Sequence, residues 1–142
     1  MKLHLGCGKR YLSGYVHIDV ADYKHIDHNC NIADMKSIID DNSVDEIYAC
    51  HVLEHFLRKD LMPVLKEWNR VLKPNGIIRI AVPDFEACVN MYMKNRDGHV
   101  YQGLLFGGQR NRYDFHHIGF DFNMLSSFLR VAGFTFVQKY NP

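Results

Sequence analysis

Two closely spaced glycines and a later carboxylate are the first residues of this sequence that could do chemistry. Gly6-Cys7-Gly8 follows a short alternating segment, and Asp19 ends the next one. A Gly-x-Gly turn lets the backbone approach a ligand closely, because glycine has no side chain. A carboxylate at the end of the second strand is the usual partner of ribose hydroxyls in nucleotide-binding folds. The pattern therefore predicts a nucleotide-type site, and the alternative is a tight turn beside a solvated carboxylate.

A second set of side chains could accept a proton during a reaction. Four histidines and one aspartate lie after predicted strands or in a polar loop, and we take them as candidate catalytic residues: His51, His55, Asp84, His116 and His117. Imidazole titrates close to neutral pH and is therefore a common general base. For each of the five, a structural or capping role is the open alternative.

The spacing His51-x-x-Glu54-His55 also fits the H-x-x-E-H pattern of inverted zinc proteases. That chemistry needs a third protein ligand and a helical setting, whereas this segment directly follows a predicted strand. The cysteines lie far apart and form no C-x-x-C pair, which is typical of reduced thiols in a cytosolic protein. We therefore expect no metal site.

Strands must bring these residues together. Apolar and alternating segments predict five strands, at residues 2–5, 15–19, 26–32, 44–50 and 77–82, and a last strand at 134–140. In open α/β sheets, ligands bind outside the carboxyl ends of the strands. The glycine turn, Asp19 and His51 would then share one edge of the sheet.

Helices are predicted between and after these strands. Leucine, valine and tryptophan recur at helical spacing over residues 59–72, residues 85–95 have a helical pattern, and Asp121 can cap a helix that continues to Ala132. Residues 109–117 are rich in polar and aromatic side chains, and we expect this loop to close over the reaction site.

The composition favours one folded domain spanning residues 1–142. About half of the residues are hydrophobic (47%), and the formal charge is only +1, so nucleic acid is an improbable partner. No apolar run is long enough to span a membrane, and we expect a cytoplasmic protein.

Three segments in order resemble the class I S-adenosylmethionine (SAM)-dependent methyltransferases. Leu-His-Leu-Gly-Cys-Gly at residues 3–8 resembles their motif I, residues 41–56 resemble their motif IV region, and Leu-Lys-Pro-Asn-Gly at 72–76 resembles the turn before their fifth strand. The resemblance covers residues 2–83 and is carried by the three motifs together rather than by any one of them.

The resemblance implies a reduced Rossmann-like α/β fold, with a mostly parallel sheet and helices on its faces. It implies SAM as cofactor and methyl transfer to a small-molecule acceptor such as a sugar or another metabolite. The cofactor-binding residues that it implies are Leu5, Gly6, Cys7, Gly8, Asp19, Asn31, Ile32, His51 and Val52. For Asn31, a turn residue is the equally open alternative.

Two departures from the family plan bear on function. The link between Gly8 and Asp19 is too short for the usual crossover helix, so it would run extended across the sheet. We expect the uncovered face to be apolar and to be covered either by residues 85–120 folding back or by a second subunit, and we favour a homodimer. The missing helix, together with His4, which stands where the family often has an acidic residue near the amino group of the ligand, motivates the alternative of a SAM-binding or scaffold protein without turnover.

Overall fold

The computed structural model describes residues 1–140, and these form a five-stranded, fully parallel sheet with the order β3-β2-β1-β4-β5. The strands are β1 (Lys2–Leu5), β2 (Val16–Asp19), β3 (His28–Asn29), β4 (Val44–Cys50) and β5 (Leu72–Ala81). The helices are α1 (Leu61–Val71), α2 (Phe85–Asn95), α3 (Gln102–Phe106) and α4 (Phe122–Val131), with short 3-10 turns at Leu53–His55 and His99–Tyr101. The predicted parallel α/β sheet is confirmed.

One face of the sheet is apolar and forms the core. The strand register places Leu3 beside Ile47, and Leu5 beside both Ile18 and Ala49, and these side chains are buried. They belong to a single hydrophobic cluster that also contains the buried residues of α1 and α4. The two helices therefore cover this face, as expected for a parallel sheet.

Helix α1 is the main cover of the core, and its predicted position is confirmed. Its apolar residues Leu61, Val64, Leu65, Trp68 and Val71 are buried and recur at intervals of three or four residues. The Trp68 indole N–H donates to the carbonyl of Ile32 at 3.0 Å, which ties α1 to the segment that follows β3.

The other face of the sheet is polar rather than apolar. Glu46 accepts a hydrogen bond from the Tyr15 hydroxyl at 2.7 Å and pairs with Lys2 at 2.9 Å and Arg79 at 3.2 Å. The link between β1 and β2 contains no helix over residues 6–15, and Tyr11 within it stacks on His17 at 4.9 Å. The absence of a crossover helix in this link is therefore confirmed, but the link is not extended throughout, because it contains turns in which Arg10 N–H donates to the Cys7 carbonyl and Tyr15 N–H to the Leu12 carbonyl. The apolar face on which the expected homodimer depended is not found there. Pairing of two chains stays a prediction.

Three predicted strands differ from the structure. The fifth was predicted at residues 77–82, but β5 begins at Leu72, because Leu72 already pairs with Val44 and the register then shifts before Glu46 pairs with Ile77. The third strand is only two residues long, because Asn31 begins a turn by accepting from the backbone N–H of Ala33. Residues 134–140 form no strand, and the prediction there is wrong. They line a groove of about 1330 Å³ together with β5 and α4. Among residues 1–140, β5 pairs only with β4. An extended segment without a neighbouring strand has no ladder of hydrogen bonds to join.

Helices α2 and α4 agree closely with the sequence pattern, whereas the short helix α3 was not predicted. Helix α2 has the predicted bounds, and Asp121 caps α4 by accepting from the backbone N–H of Met124 at 2.7 Å. Within residues 1–140, no helix combines the length and the apolar character that crossing a bilayer would require.

Candidate functional site

The turn after β1 lies directly against the segment after β4. Leu5 ends β1 with its side chain fully buried, and Gly6 follows with a φ of 59°. A Cβ added to Gly6 would stand 2.6 Å from a methyl carbon of Val52, so only glycine fits between the two segments. The structure thus brings together two parts of the predicted cofactor site, motif I and Val52.

Asp19 organises the same turn from the end of β2. Its Oδ2 accepts from the backbone N–H of Gly8 at 2.8 Å, and its Oδ1 accepts from that of Ala21 at 2.7 Å. Each carboxylate oxygen has a further lone pair available. A Cβ added to Gly8 would meet no atom within 4 Å, so open space lies beside the backbone there.

Cys7, between the two glycines, is a buried thiol. Burial first, and the neighbouring charge of Asp19 second, raise the pKa of Cys7 to about 11. The side chain is only 5% exposed. Cys7 therefore packs as a small apolar group, and its thiolate is scarcely populated at neutral pH.

The predicted adenine-binding pair lies beyond β3. Asn31 adopts the turn that was its alternative interpretation, since its side-chain oxygen accepts from Ala33 at 3.0 Å. Ile32 is 6% exposed and belongs to the hydrophobic core. Both residues follow the carboxyl end of β3, and contact with adenine stays a prediction for each.

His51 begins the segment after β4 in an unusual backbone conformation. Its φ is 55°, in the left-handed region that residues other than glycine seldom adopt. Its Nδ1 lies 3.0 Å from Oε1 of Glu54, and its side chain is about half exposed. Such a conformation at a strand end is a reason to suspect function, because the surrounding structure must hold it in place.

The loop at residues 107–117 folds against this segment, near the carboxyl end of β4. The backbone N–H of His117 donates to the carbonyl of Glu54 at 2.8 Å. Nδ1 of His55 lies 3.0 Å from the carbonyl of Phe115, and Nε2 of His116 lies 4.0 Å from Oε1 of Glu54. The side chains of two candidate histidines, His51 and His116, thus contact Glu54, whereas the side chain of His117 is exposed.

Asp84 has a clear structural role at the end of the fifth strand. Its Oδ1 accepts from the backbone N–H groups of Glu86 and Ala87, at 3.0 and 3.3 Å, and so caps α2. This is the capping alternative considered for Asp84, and it occupies one of the two carboxylate oxygens.

The sequence-based list of site residues omitted Glu54. Its side chain is 0% exposed and contacts two of the candidate histidines, His51 and His116. The spacing His51-x-x-Glu54-His55 was noted in the sequence, but neither the zinc-protease pattern nor the resemblance of residues 41–56 to motif IV led us to include Glu54 among the site residues. A contact between Glu54 and His116 spans about sixty residues, and no local pattern predicts it.

Comparison with known proteins places this geometry in a family. A sequence-family model described as a methyltransferase domain matches residues 3–80. The chain belongs to this methyltransferase domain family. The match includes β1, β2 and β4, the strands whose ends carry the glycine turn, Asp19 and His51, so the resemblance drawn from motifs is confirmed. No curated protein matches the chain in sequence.

Solved structures agree on the fold of this methyltransferase domain. It is similar to a SAM-dependent methyltransferase from Archaeoglobus fulgidus (15% identity, TM-score 0.62, covering 93% of this chain and 59% of that one). It is also similar to a chain in a complex between the Haloferax volcanii Trm112 methyltransferase activator and a candidate methyltransferase (19% identity, TM-score 0.61, covering 93% of this chain and 60% of that one). A SAM-dependent methyltransferase from Methanosarcina mazei also matches (18%, 0.62, 92% and 77%). The chain thus spans about 60% of the length of the first two.

Proposed function

We propose that this domain is a SAM-dependent methyltransferase that acts on a small-molecule acceptor. The observation that carries the proposal is the junction at the carboxyl edge of the sheet, where the Gly6–Gly8 turn, Asp19 and Val52 meet. Family membership supports methyl transfer as the reaction class. The site geometry therefore supports a nucleotide-type ligand, and family membership supports methyl transfer from that ligand.

The residues present fit the cofactor. The open space beside Gly8 leaves room for a ligand to approach the backbone, and the free lone pairs of Asp19 can accept from the ribose hydroxyls. Val52, held against Gly6, would form an apolar wall beside the cofactor. When bound, SAM supplies an activated methyl group, so the protein mainly has to align the acceptor with it.

Among the candidate bases, His51 is the one that we favour for removing a proton from the acceptor. It adjoins Val52 in the chain, its ring is half exposed, and Glu54 lies 3.0 Å from its Nδ1. A carboxylate at that distance can orient the ring. Asp84 is less suited, because capping α2 engages its carboxylate.

The proposal of a small acceptor rests on charge and on the loop. The net charge of +1 gives no strong attraction to nucleic acid, and residues 107–117 border the segment after β4. The alternative of SAM binding without turnover was motivated by the missing crossover helix and by His4, and the missing helix still supports it. The side chain of His4 is 2% exposed within the polar face of the sheet, so it is not available to the amino group of a ligand.

Calorimetric titration with SAM and with its demethylated product tests the cofactor site. We expect Gly8→Asn to weaken SAM binding at least tenfold, because the new side chain would enter the open space. Gly14→Asn is the matched control: Gly14 also has a positive φ and no neighbour within 4 Å, but it precedes β2 at the opposite edge of the sheet. Equal affinity of the two variants would refute the assignment.

Asp19→Ala tests the ribose contact separately. We expect a loss of about 1.5–3 kcal/mol of SAM-binding free energy, the range for hydrogen bonds to charged groups. Because Asp19 also holds Gly8 and Ala21, thermal unfolding must first show that the variant is folded. Unchanged affinity in the folded variant would remove Asp19 from the site. A methyl-transfer screen against sugars and other metabolites then tests turnover, and SAM binding without transfer to any of them would favour the alternative.

A further inference from the structure

We infer that Glu54, His55 and His116 form a binding site for a divalent first-row transition-metal ion. These residues offer one carboxylate oxygen and two imidazole nitrogens, and the three atoms lie within 4.8 Å of one another. Glu54 and His55 belong to the turn after β4, whereas His116 comes from the loop at residues 107–117. The tertiary fold therefore assembles the cluster, and it differs from the His51 and His55 pair of the zinc-protease pattern.

The hydrogen bonds of His55 and His116 leave Nε2 of each ring free to bind a metal ion. Nδ1 of His55 contacts the carbonyl of Phe115 at 3.0 Å, and Nδ1 of His116 contacts the carbonyl of Leu104 at 2.8 Å. A carbonyl only accepts, so both Nδ1 atoms must carry the proton. In the neutral rings, Nε2 then has the lone pair. A backbone carbonyl that fixes the tautomer in this way is typical of histidines that bind metals.

The carboxylate of Glu54 supplies the independent observation. It is 0% exposed, and its Oε2 has no hydrogen-bond partner among the described residues, while Oε1 contacts His51 at 3.0 Å. A buried carboxylate with an unpaired oxygen is costly, and such groups normally pair or coordinate a metal. Because Oε1 lies 4.0 Å from Nε2 of His116, this carboxylate faces the same space as the histidine lone pair.

The ligand types favour a particular class of metal. Imidazole suits Zn²⁺, Fe²⁺, Co²⁺ and Ni²⁺, whereas Mg²⁺ and Ca²⁺ prefer oxygen ligands. Two histidines and one glutamate also form the protein ligands of known catalytic zinc sites, which keep a fourth position open. Zinc binds these atoms at roughly 2.0–2.2 Å, so the three ligands must draw together by about 1 Å. His116 lies on a loop, where such a movement is least costly.

Titration of the EDTA-treated full chain with Zn²⁺, followed by calorimetry, and with Co²⁺, followed by visible absorption, tests this site. We expect one equivalent of each metal to bind, with a Co²⁺ spectrum typical of nitrogen and oxygen ligands. His55→Gln and His116→Gln should each lower the affinity at least tenfold. His117→Gln is the matched control, because His117 adjoins His116 on the same loop but its side chain is exposed and outside the cluster.

Three results would overturn the inference. They are the absence of one-equivalent binding, an equal loss of affinity in the control variant, and a sulfur-to-cobalt charge-transfer band that assigns the metal to a cysteine. Circular dichroism of each variant establishes that it is folded, and the two separate histidine variants keep the test decisive if one of them fails to fold. None of these measurements uses SAM, so the result is independent of the cofactor site.

Discussion

The buried imidazole of His4 should make the stability of this domain fall in mild acid. His4 lies in the middle of β1 on the polar face of the sheet, and its Nδ1 has no hydrogen-bond partner among residues 1–140. Burial first, and then the charges of His17, Arg10 and His25, lower the pKa of His4 from 6.5 to about 4, against the opposing charge of Asp19. A proton therefore binds the unfolded chain more readily than the folded one.

The sign and size of the effect follow from this difference in pKa. Above about pH 6.5 the ring is neutral in both states and His4 contributes no pH dependence. As the pH falls from 6.5 towards 4, the unfolded chain gains the proton first, and stability is lost at about 1.36 kcal/mol per pH unit. Between pH 7.5 and 4.5 the loss attributable to His4 is about 2–3 kcal/mol, a large part of a typical folding free energy.

The substitution His4→Phe tests this reasoning, because phenylalanine keeps a planar ring for the contacts with Tyr15, His17 and Tyr48 but cannot be protonated. Urea unfolding at pH 7.5 and 4.5 can be followed through the fluorescence of Trp68, the single tryptophan, which is fully buried. Relative to wild type, the variant should gain about 2–3 kcal/mol on going to pH 4.5. The exposed His99, changed to Gln, is the control. If the free energy of unfolding of His4→Phe differed from that of the wild type by the same amount at both pH values, the explanation would be refuted.

Three further predictions concern the turn and the loop. Cys7 should not react with a thiol reagent at pH 8 until the protein unfolds. The number of thiols that react quickly in the folded protein should therefore be the same in the wild type and in Cys7→Ser, and a smaller number in the variant would refute this. Gly6→Ala should lower stability by about 1–3 kcal/mol, and Val52→Ala should recover part of this in a double-mutant cycle by urea unfolding; strict additivity would refute the contact. Gly107→Ala should speed amide exchange across residues 107–117, because the added Cβ would clash with the carbonyl oxygen of Asp114; unchanged exchange would contradict this.

The parts of the fold that the sequence predicted well are those with a strong local pattern. Helix α1 has an apolar residue at nearly every third or fourth position, and β4 contains the apolar residues Val44, Ile47, Ala49 and Cys50 directly after a cluster of turn residues, so both were predicted within two residues. The capping residue Asp121 was predictable for the same reason, because a cap acts on its own helix.

The errors share a different cause, which is dependence on distant partners. Residues 134–140 have a strand-like pattern, but a strand also needs a neighbour, and β5 does not pair with them. The expected apolar face is polar because Lys2, Glu46 and Arg79 come from three strands and meet only through the register of the sheet. The alternation of residues was visible in each strand, but which face the helices would cover was not.

The candidate site also has one part that a local sequence pattern predicts and one part that depends on distant residues. The glycine turn and Asp19 lie within one short stretch of chain and follow from the motif, whereas the cluster of Glu54, His55 and His116 needs a loop that arrives from between α3 and α4. Val52 and Glu54 stand only two residues apart, so one short segment contacts both the glycine turn and the histidine cluster. A ligand that shifted this segment at the glycine turn would therefore also shift it at the histidine cluster, and the reverse. Because coupling of this kind is reciprocal, Zn²⁺ and SAM should change each other's affinity by the same factor if both bind, and calorimetry of each ligand in the presence of the other measures it.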